Sequence, residues 1–217
     1  MRALLVLALF CIGCSSVQRA SVGPEVSASS LAEPRGEKLA IDRSRSLVEV
    51  AGADRVTGEH VAVIRSTDIW LVAPSTKKLE ELTVVADLGS LSMEDPEIEA
   101  FVKSPDFLDI ARYPTARFHS TSVSPLGENL HRVRGVLELH GVARAIEFVA
   151  SVSRTRSELA VEANFRLPRR AFRIQKEGGW DFVIASEFRV RVRIIALLRP
   201  RPRATSRLSD RSWDRTR

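Results

Sequence analysis

Between about residue 38 and residue 198 the chain repeatedly alternates apolar and polar residues with a period of two. A helix would scatter such residues around its circumference, whereas a strand puts all the apolar ones on one face. The last segment is the plainest. Phe188, Val190, Val192 and Ile194 point one way, and Arg189, Arg191 and Arg193 the other. Leu159, Val161, Ala163, Phe165 and Leu167 alternate with Glu162, Asn164 and Arg166, and Val133, Gly135, Leu137 and Leu139 alternate with Arg132, Arg134 and Glu138. Ile146, Phe148, Ala150 and Val152 form another face. Earlier segments repeat the pattern through Ser46, Val48 and Val50, then His60, Ala62 and Ile64 within 59–72, then Leu82, Val84, Ala86 and Leu88.

Strict alternation means antiparallel sheet with one dry face and one wet face. Turn signals at Pro125-Leu126-Gly127 and Gly178-Gly179 separate seven or eight such segments. The expected fold is therefore all-β, a sandwich or an antiparallel barrel of about eight strands, a size just wide enough to hold a small ligand or to fill itself with side chains. One helical insertion interrupts it. Asp95 suits an N-cap and Pro96 the first helical residue, and Ile98, Phe101 and Val102 follow at helical spacing. Ser104-Pro105-Asp106 repeats the start signal, and Pro114 ends the stretch.

The net charge of +6 is misleading, because the tail Arg199–Arg217 holds seven arginines against Asp210 and Asp214 and so carries +5 of it. A nucleic-acid-binding domain shows its basic face on the folded part, so nucleic acid is not an expected partner. The tail reads as a disordered Pro- and Arg-rich end, or as a contact for anionic lipid or polymer.

The N-terminus carries a second signal. Met1-Arg2 precedes an apolar run from Ala3 to Ile12, too short for the roughly 20 residues a spanning helix needs. The run has the length of a signal-peptide core, and Gly13 places a small residue directly before Cys14. This resembles the bacterial lipobox, with Cys11 standing where that pattern has Leu. The resemblance makes residues 1–13 a signal peptide and Cys14 the lipidated first mature residue. Neither Ser15 nor Ser16 is an inner-membrane retention Asp, which points to the periplasmic face of the outer membrane. An ordinary cleaved signal would leave a soluble periplasmic protein instead. Cys11-Ile12-Gly13-Cys14 is formally a C-x-x-C motif, but an apolar lead-in offers it neither a folded context nor a second ligand pair. Residues 14–37, rich in Ser, Ala, Gly, Pro and Glu, read as a flexible tether to a domain spanning 38–198.

The stretch Ser104-Pro-Asp-Phe-Leu-Asp-Ile-Ala-Arg-Tyr-Pro-Thr-Ala-Arg-Phe-His-Ser-Thr121 resembles the signature of the YceI-like family of lipid- or polyisoprenoid-binding barrels. Asp106, Phe107, Asp109, Tyr113, Pro114, Phe118, Ser120 and Thr121 match it position by position. Gly135-Val-Leu-Glu-Leu-His-Gly-Val142 resembles a second family segment, with Glu138 for Thr. Arg169, Phe172 and Ile174 match a third, in which Ala171 replaces Asp and Arg173 replaces Gly. The resemblance covers roughly 39–198. It implies a lipocalin-like barrel, exported to the periplasm, with a long isoprenoid, isoprenoid quinone or fatty chain in a central tunnel for carriage or storage.

On that basis Phe118, Leu137, Phe148, Phe165, Phe188 and Val190 are the expected lipid-lining residues. Each, taken singly, also fits ordinary packed core. Arg189, Arg191 and Arg193 either meet anionic head groups or form a solvated face that blunts edge pairing. No enzyme is expected. His60, His119, His131 and His140 lack metal-site spacing, and the folded part has no cysteine, no G-x-S-x-G and no P-loop. Asp106 and Asp109 read as helix-start charges. No metal or cofactor is expected. The competing reading is a non-catalytic envelope stress or interaction protein whose barrel is filled and binds no lipid.

Overall fold

A computed structural model describes residues 17–27, 39–65, 67–72, 79–175 and 181–198. The apolar leader, Cys14, the Gly178-Gly179 turn and the arginine-rich tail lie outside the described residues.

Nine strands build the wall: β4 (Leu47–Asp54), β5 (Gly58–Ile64), β6 (Thr67–Val72), β7 (Glu81–Asp87), β9 (Thr115–Pro125), β10 (Leu130–Leu139), β11 (Val142–Arg154), β12 (Glu158–Pro168) and β13 (Glu187–Leu197). Four short strands supplement them: β1 (Gln18–Arg19), β2 (Ser21–Glu25), β3 (Ala40–Ile41) and β8 (Leu91–Ser92). The hydrogen-bonded order is β6-β7-β9-β10-β11-β12-β13-β4-β5-β8. β5, the last long strand of this order, ends at Ile64 and β6, the first, begins at Thr67, so the long strands at its two ends are sequence neighbours and the sheet curls back on itself. The segment 59–72, read as continuous strand from its alternation, is divided there. With β5 and β6 taken as one bent wall, the barrel has eight walls, and all their neighbour pairings are antiparallel.

Burial follows the alternation. On β12 the residues Leu159, Val161, Ala163, Phe165 and Leu167 are all buried, while Glu162 and Arg166 are exposed. β12 and β13 pair without interruption from Glu158↔Leu197 to Pro168↔Glu187. A bulge at Thr121 interrupts the β9–β10 ladder between Arg134↔Ser122 and Gly135↔Ser120 and bends that strand. Beside it, Gly135 is required by close approach. A Cβ there would sit 2.6 Å from the Phe118 ring and collide with the His119 carbonyl.

Helix α1 (Pro96–Lys103) starts as expected. The Asp95 carboxylate accepts from the Glu97 and Ile98 N–H groups, satisfying two orphan donors, and Pro96 occupies the first turn. Asp109 is not a helix-start charge. It adopts a left-handed conformation (φ 45°) in the turn after α1, where its carbonyl accepts from the Arg112 and Tyr113 N–H groups. The turn at Arg173 is also kept. Arg173 takes the left-handed conformation (φ 58°) that glycine adopts at less cost.

Residues 18–25 depart from the tether reading. β1 pairs in parallel with β12, and β2 pairs antiparallel with β11. Composition concealed this, because Ser21-Val-Gly-Pro-Glu25 has one apolar side chain of size and no alternation to read.

Candidate functional site

The inward faces of the walls do not meet. They enclose a cavity of about 430 Å³, within the range of small-molecule sites. All six residues singled out from the sequence line it: Phe118, Leu137, Phe148, Phe165, Phe188 and Val190. Three of them form an aromatic row across β9, β11 and β12. The Phe118 and Phe148 rings are tilted with centroids 5.4 Å apart, and Phe148 stacks on Phe165 at 4.5 Å. Such rings supply large apolar area with little freedom to lose. His60, Ala62 and Ile64, assigned to one face of a strand, also line the cavity.

Alternation did not show what covers one end. Ile98, Phe101 and Val102 of α1 face the cavity, as do Phe107 and Leu108 just beyond it. The Phe101 and Phe107 rings lie 5.3 Å apart, and Phe107 meets Phe188 of β13 edge-on at 6.1 Å. Phe101 and Val102 of the helix pack against the core, and Phe107, just after it, meets the wall. Its i, i+3, i+4 pattern made it apolar on one side, and that side, half-buried, faces the tunnel.

Among the described residues, polar lining is confined to Asp54, Thr57, His60 and Glu97. The first three cluster at the β4–β5 turn. The Asp54 carboxylate accepts from the Val56 and Thr57 N–H groups at 2.7 Å each and from the Thr57 hydroxyl, and lies 3.1 Å from His60 Nε2. Burial pushes the Asp54 carboxyl up. The Thr57, Val56 and His60 hydrogen bonds together outweigh it and hold the pKa at about 2, against an ordinary 3.8. A carboxyl depressed in the folded state contributes stability above its unfolded pKa and loses it as pH falls through the folded value. The stability difference between the native chain and Asp54→Asn is therefore expected in full above about pH 4 and should vanish near pH 2. Urea denaturation of both proteins across that range checks it, and a difference independent of pH would contradict the assignment.

The segment beside this turn is held by Arg169, which is fully buried. Its guanidinium donates to the Ala185, Ile174, Asp181 and Ile184 carbonyls and to the Asp181 carboxylate at 2.6 Å. Ile184, held this way, lines the cavity and bridges to Asp54. Sequence pattern marked Arg169 as a match to a family segment but could not supply its partner, Asp181, twelve residues on.

The outward arginines are paired across the sheet. Arg189 meets Glu59 at 2.6 Å, Arg193 meets Glu162 at 3.3 Å and Arg191 meets Glu49 at 3.5 Å. They form a solvated ionic face; β13 is paired on both sides, with β12 and β4, so the expected blunting of an edge does not apply to it. The histidines stand apart from one another. His119 Nδ1 lies 2.8 Å from the Thr83 hydroxyl on the outer face, and His140 sits in the β10–β11 turn with its ring 4.6 Å from Tyr113. Among the described residues no three His, Cys, Asp or Glu side chains form a metal-binding group.

A family model described as YceI-like domain matches residues 39–196. UPF0312 proteins of Pseudomonas savastanoi pv. phaseolicola and Pseudomonas syringae pv. tomato are each 39% identical over 71 residues, 33% of this chain. That stretch spans only 37% of each relative's length. Among solved structures, Burkholderia cenocepacia BcnA superposes with a TM-score of 0.66 at 20% identity, over 72% of this chain and 99% of that one. A polyisoprenoid binding domain from Saccharophagus degradans, implicated in plant cell wall breakdown, gives 0.60 at 18% identity over 74% and 100%. At these identities the structural likeness is one of fold. The matched stretch takes in every long wall strand and α1, and on that ground the chain belongs to the YceI-like domain family.

Proposed function

We propose that this protein is an exported lipoprotein that binds one long apolar chain, an isoprenoid, isoprenoid quinone or fatty chain, in the barrel cavity for carriage or storage in the cell envelope. The observation that carries the reading is the cavity itself, a space of about 430 Å³ walled almost entirely by Val, Leu, Ile, Phe, Met and Ala side chains. Such a space takes up an apolar chain by removing its surface from water, worth about 0.8 kcal/mol per methylene. Part of that gain is offset by ordering the chain. The polyisoprenoid-binding neighbour supports the ligand class, and a binding role rather than catalysis accords with the family.

The charge of the lining narrows the choice of head group. Among the described residues no Lys or Arg lines the cavity, and the acids there are Asp54 and Glu97. A phosphate or free carboxylate would face these groups without a cation, so an uncharged head fits better. Phe118, Leu137, Phe148, Phe165, Phe188 and Val190 are the residues assigned to contact the chain. Cys14 is assigned as the acylated anchor and the outer membrane's periplasmic face as the location.

Organic extraction of the protein purified from bacterial envelopes, followed by mass spectrometry, tests the reading. A stoichiometric uncharged polyprenyl or acyl species is the expected result. An empty extract, together with refusal of added long-chain lipid, would overturn it. Palmitate labelling that persists in Cys14→Ala would remove the anchor.

A further inference from the structure

The barrel wall is split. β11 and β12 pair only where Ala150–Arg154 meets Leu159–Ala163. Beyond that point they separate, and the N-terminal strand occupies the gap. Phe165 and Arg166 of β12 pair with Gln18 and Arg19, while Arg144, Ile146 and Glu147 of β11 pair with Glu25, Val22 and Ser21. At the apex the Gln18 side chain acts as a peptide group, its amide donating to the Val149 carbonyl at 2.6 Å and accepting from the Val149 N–H at 3.0 Å. Inside, Ala20 is buried in the core and Val22 packs against it. Phe148 and Phe165 stack at 4.5 Å across the apex of the gap, so its open lips are Ile146 on one side and Leu167 on the other, and both line the tunnel. Removal of residues 17–26 would therefore open the tunnel sideways.

This wall is the weakest of the barrel. β12 and β13 pair along their whole lengths, whereas β1 pairs at two residues and β2 at three with a shift in register. Gly23 offers no side chain and Pro24 no N–H, both of which weaken a strand. The ends are tied by the surface pairs Arg19 to Glu187 at 2.6 Å and Arg173 to Glu25 at 3.1 Å, of the kind that contributes little, and by a few local hydrogen bonds, from the Ala20 N–H to the Arg166 carbonyl, the Val26 N–H to the Ala143 carbonyl and Arg144 to the Gly23 carbonyl. Asn164, on β12 at the fork, keeps a buried Oδ1 with no hydrogen-bond partner, the mark of an imperfectly closed seam. The strand also lies outside the stretch 39–196 that the family model matches.

On the anchored reading its position would face a membrane. Cys14 is four residues before Gln18, a reach of at most roughly 14 Å for an extended chain. Exposed Arg166 flanks the seam, with exposed Arg170 and Arg173 paired to Asp181 and Glu25 and part-buried Arg144 held by the Ala171 and Gly23 carbonyls; basic side chains are drawn to anionic lipid, and these pairs would have to exchange for it. We propose that the N-terminal strand is a displaceable wall facing an anionic bilayer, and that lipid passes between membrane and tunnel through the slot it closes. The proposal rests on the lipid-binding, anchored reading above.

A reversible lock tests it. Ser21 and Glu147 are directly opposed and point outward, so Ser21→Cys/Glu147→Cys places a disulfide across the slot. Glu162→Cys/Arg193→Cys does the same across the continuous β12–β13 wall and serves as the control. The whole mature chain, immobilised through a C-terminal tag, is given phosphatidylethanolamine–phosphatidylglycerol vesicles carrying tritiated geranylgeraniol. Reduced Ser21→Cys/Glu147→Cys is expected to load like the native chain, and the oxidised form at least about tenfold more slowly, with oxidation of the control lock changing nothing. Equal rates in the oxidised and reduced slot variant would overturn the displaceable wall, as would equal slowing by both locks. Failure of every form, native included, to retain label would instead overturn the lipid-binding reading, and this proposal with it.

Discussion

Arg169→Met should lower the unfolding free energy by about 3–5 kcal/mol, the range for breaking a buried ion pair by removing one partner. The magnitude follows from what Arg169 does. It is fully buried, and its guanidinium satisfies four backbone carbonyls besides the Asp181 carboxylate. Methionine fills similar space and satisfies none of them, leaving the Asp181 carboxylate, 16% exposed, to the exposed Arg170 and four carbonyls without this donor. Arg169→Lys keeps the charge but loses the planar fork that reaches several acceptors at once, so it should recover only part of the loss. Asp181→Asn should cost less than Arg169→Met, because the carbonyl partners remain. Urea denaturation of the three variants measures this, and a loss below about 1 kcal/mol for Arg169→Met would mean that the buried network is not what holds the segment.

Ala62→Trp should cut the lipid that co-purifies with the protein by about tenfold or more, equivalent to about 1.4 kcal/mol of binding. Ala62 is 5% exposed and lies on β5 facing the cavity, opposite Val50 of β4. An indole there occupies space that a chain would otherwise take. Because it enters a cavity rather than a filled core, its effect on stability should stay below the roughly 1–3 kcal/mol of ordinary overpacking. Mass spectrometry of extracts reads the first quantity and urea denaturation the second. A folded Ala62→Trp protein that carries a full complement of lipid would place the ligand elsewhere.

Different parts of the molecule were legible in the sequence to different degrees. Phe165 and Val190 could be assigned to the interior because each sits in an unbroken alternating run, and parity alone decides the face. Asp95-Pro96 marked the start of α1 because a cap and a proline act locally. The matches at 104–121 and 135–142 pointed to the family without any geometry. Residues 18–25 were unreadable for the opposite reason. A two- to five-residue strand containing Gly23 and Pro24 has too few side chains to show a period, and what makes it a strand is the open edge offered by β11 and β12. The Arg169–Asp181 pair was hidden because long-range polar partners leave no periodic trace.

The sequence by itself determined which side chains point inward along each long strand, since successive residues of an extended backbone must alternate faces. It also determined where the helix begins and which family the chain resembles. Only the tertiary structure decided whether those inward side chains meet. That depends on strand tilt, on register and on the summed volume of residues contributed by strands far apart in the chain. The same long-range geometry left a cavity of about 430 Å³ at the centre and a gap between β11 and β12 that the N-terminal strand fills.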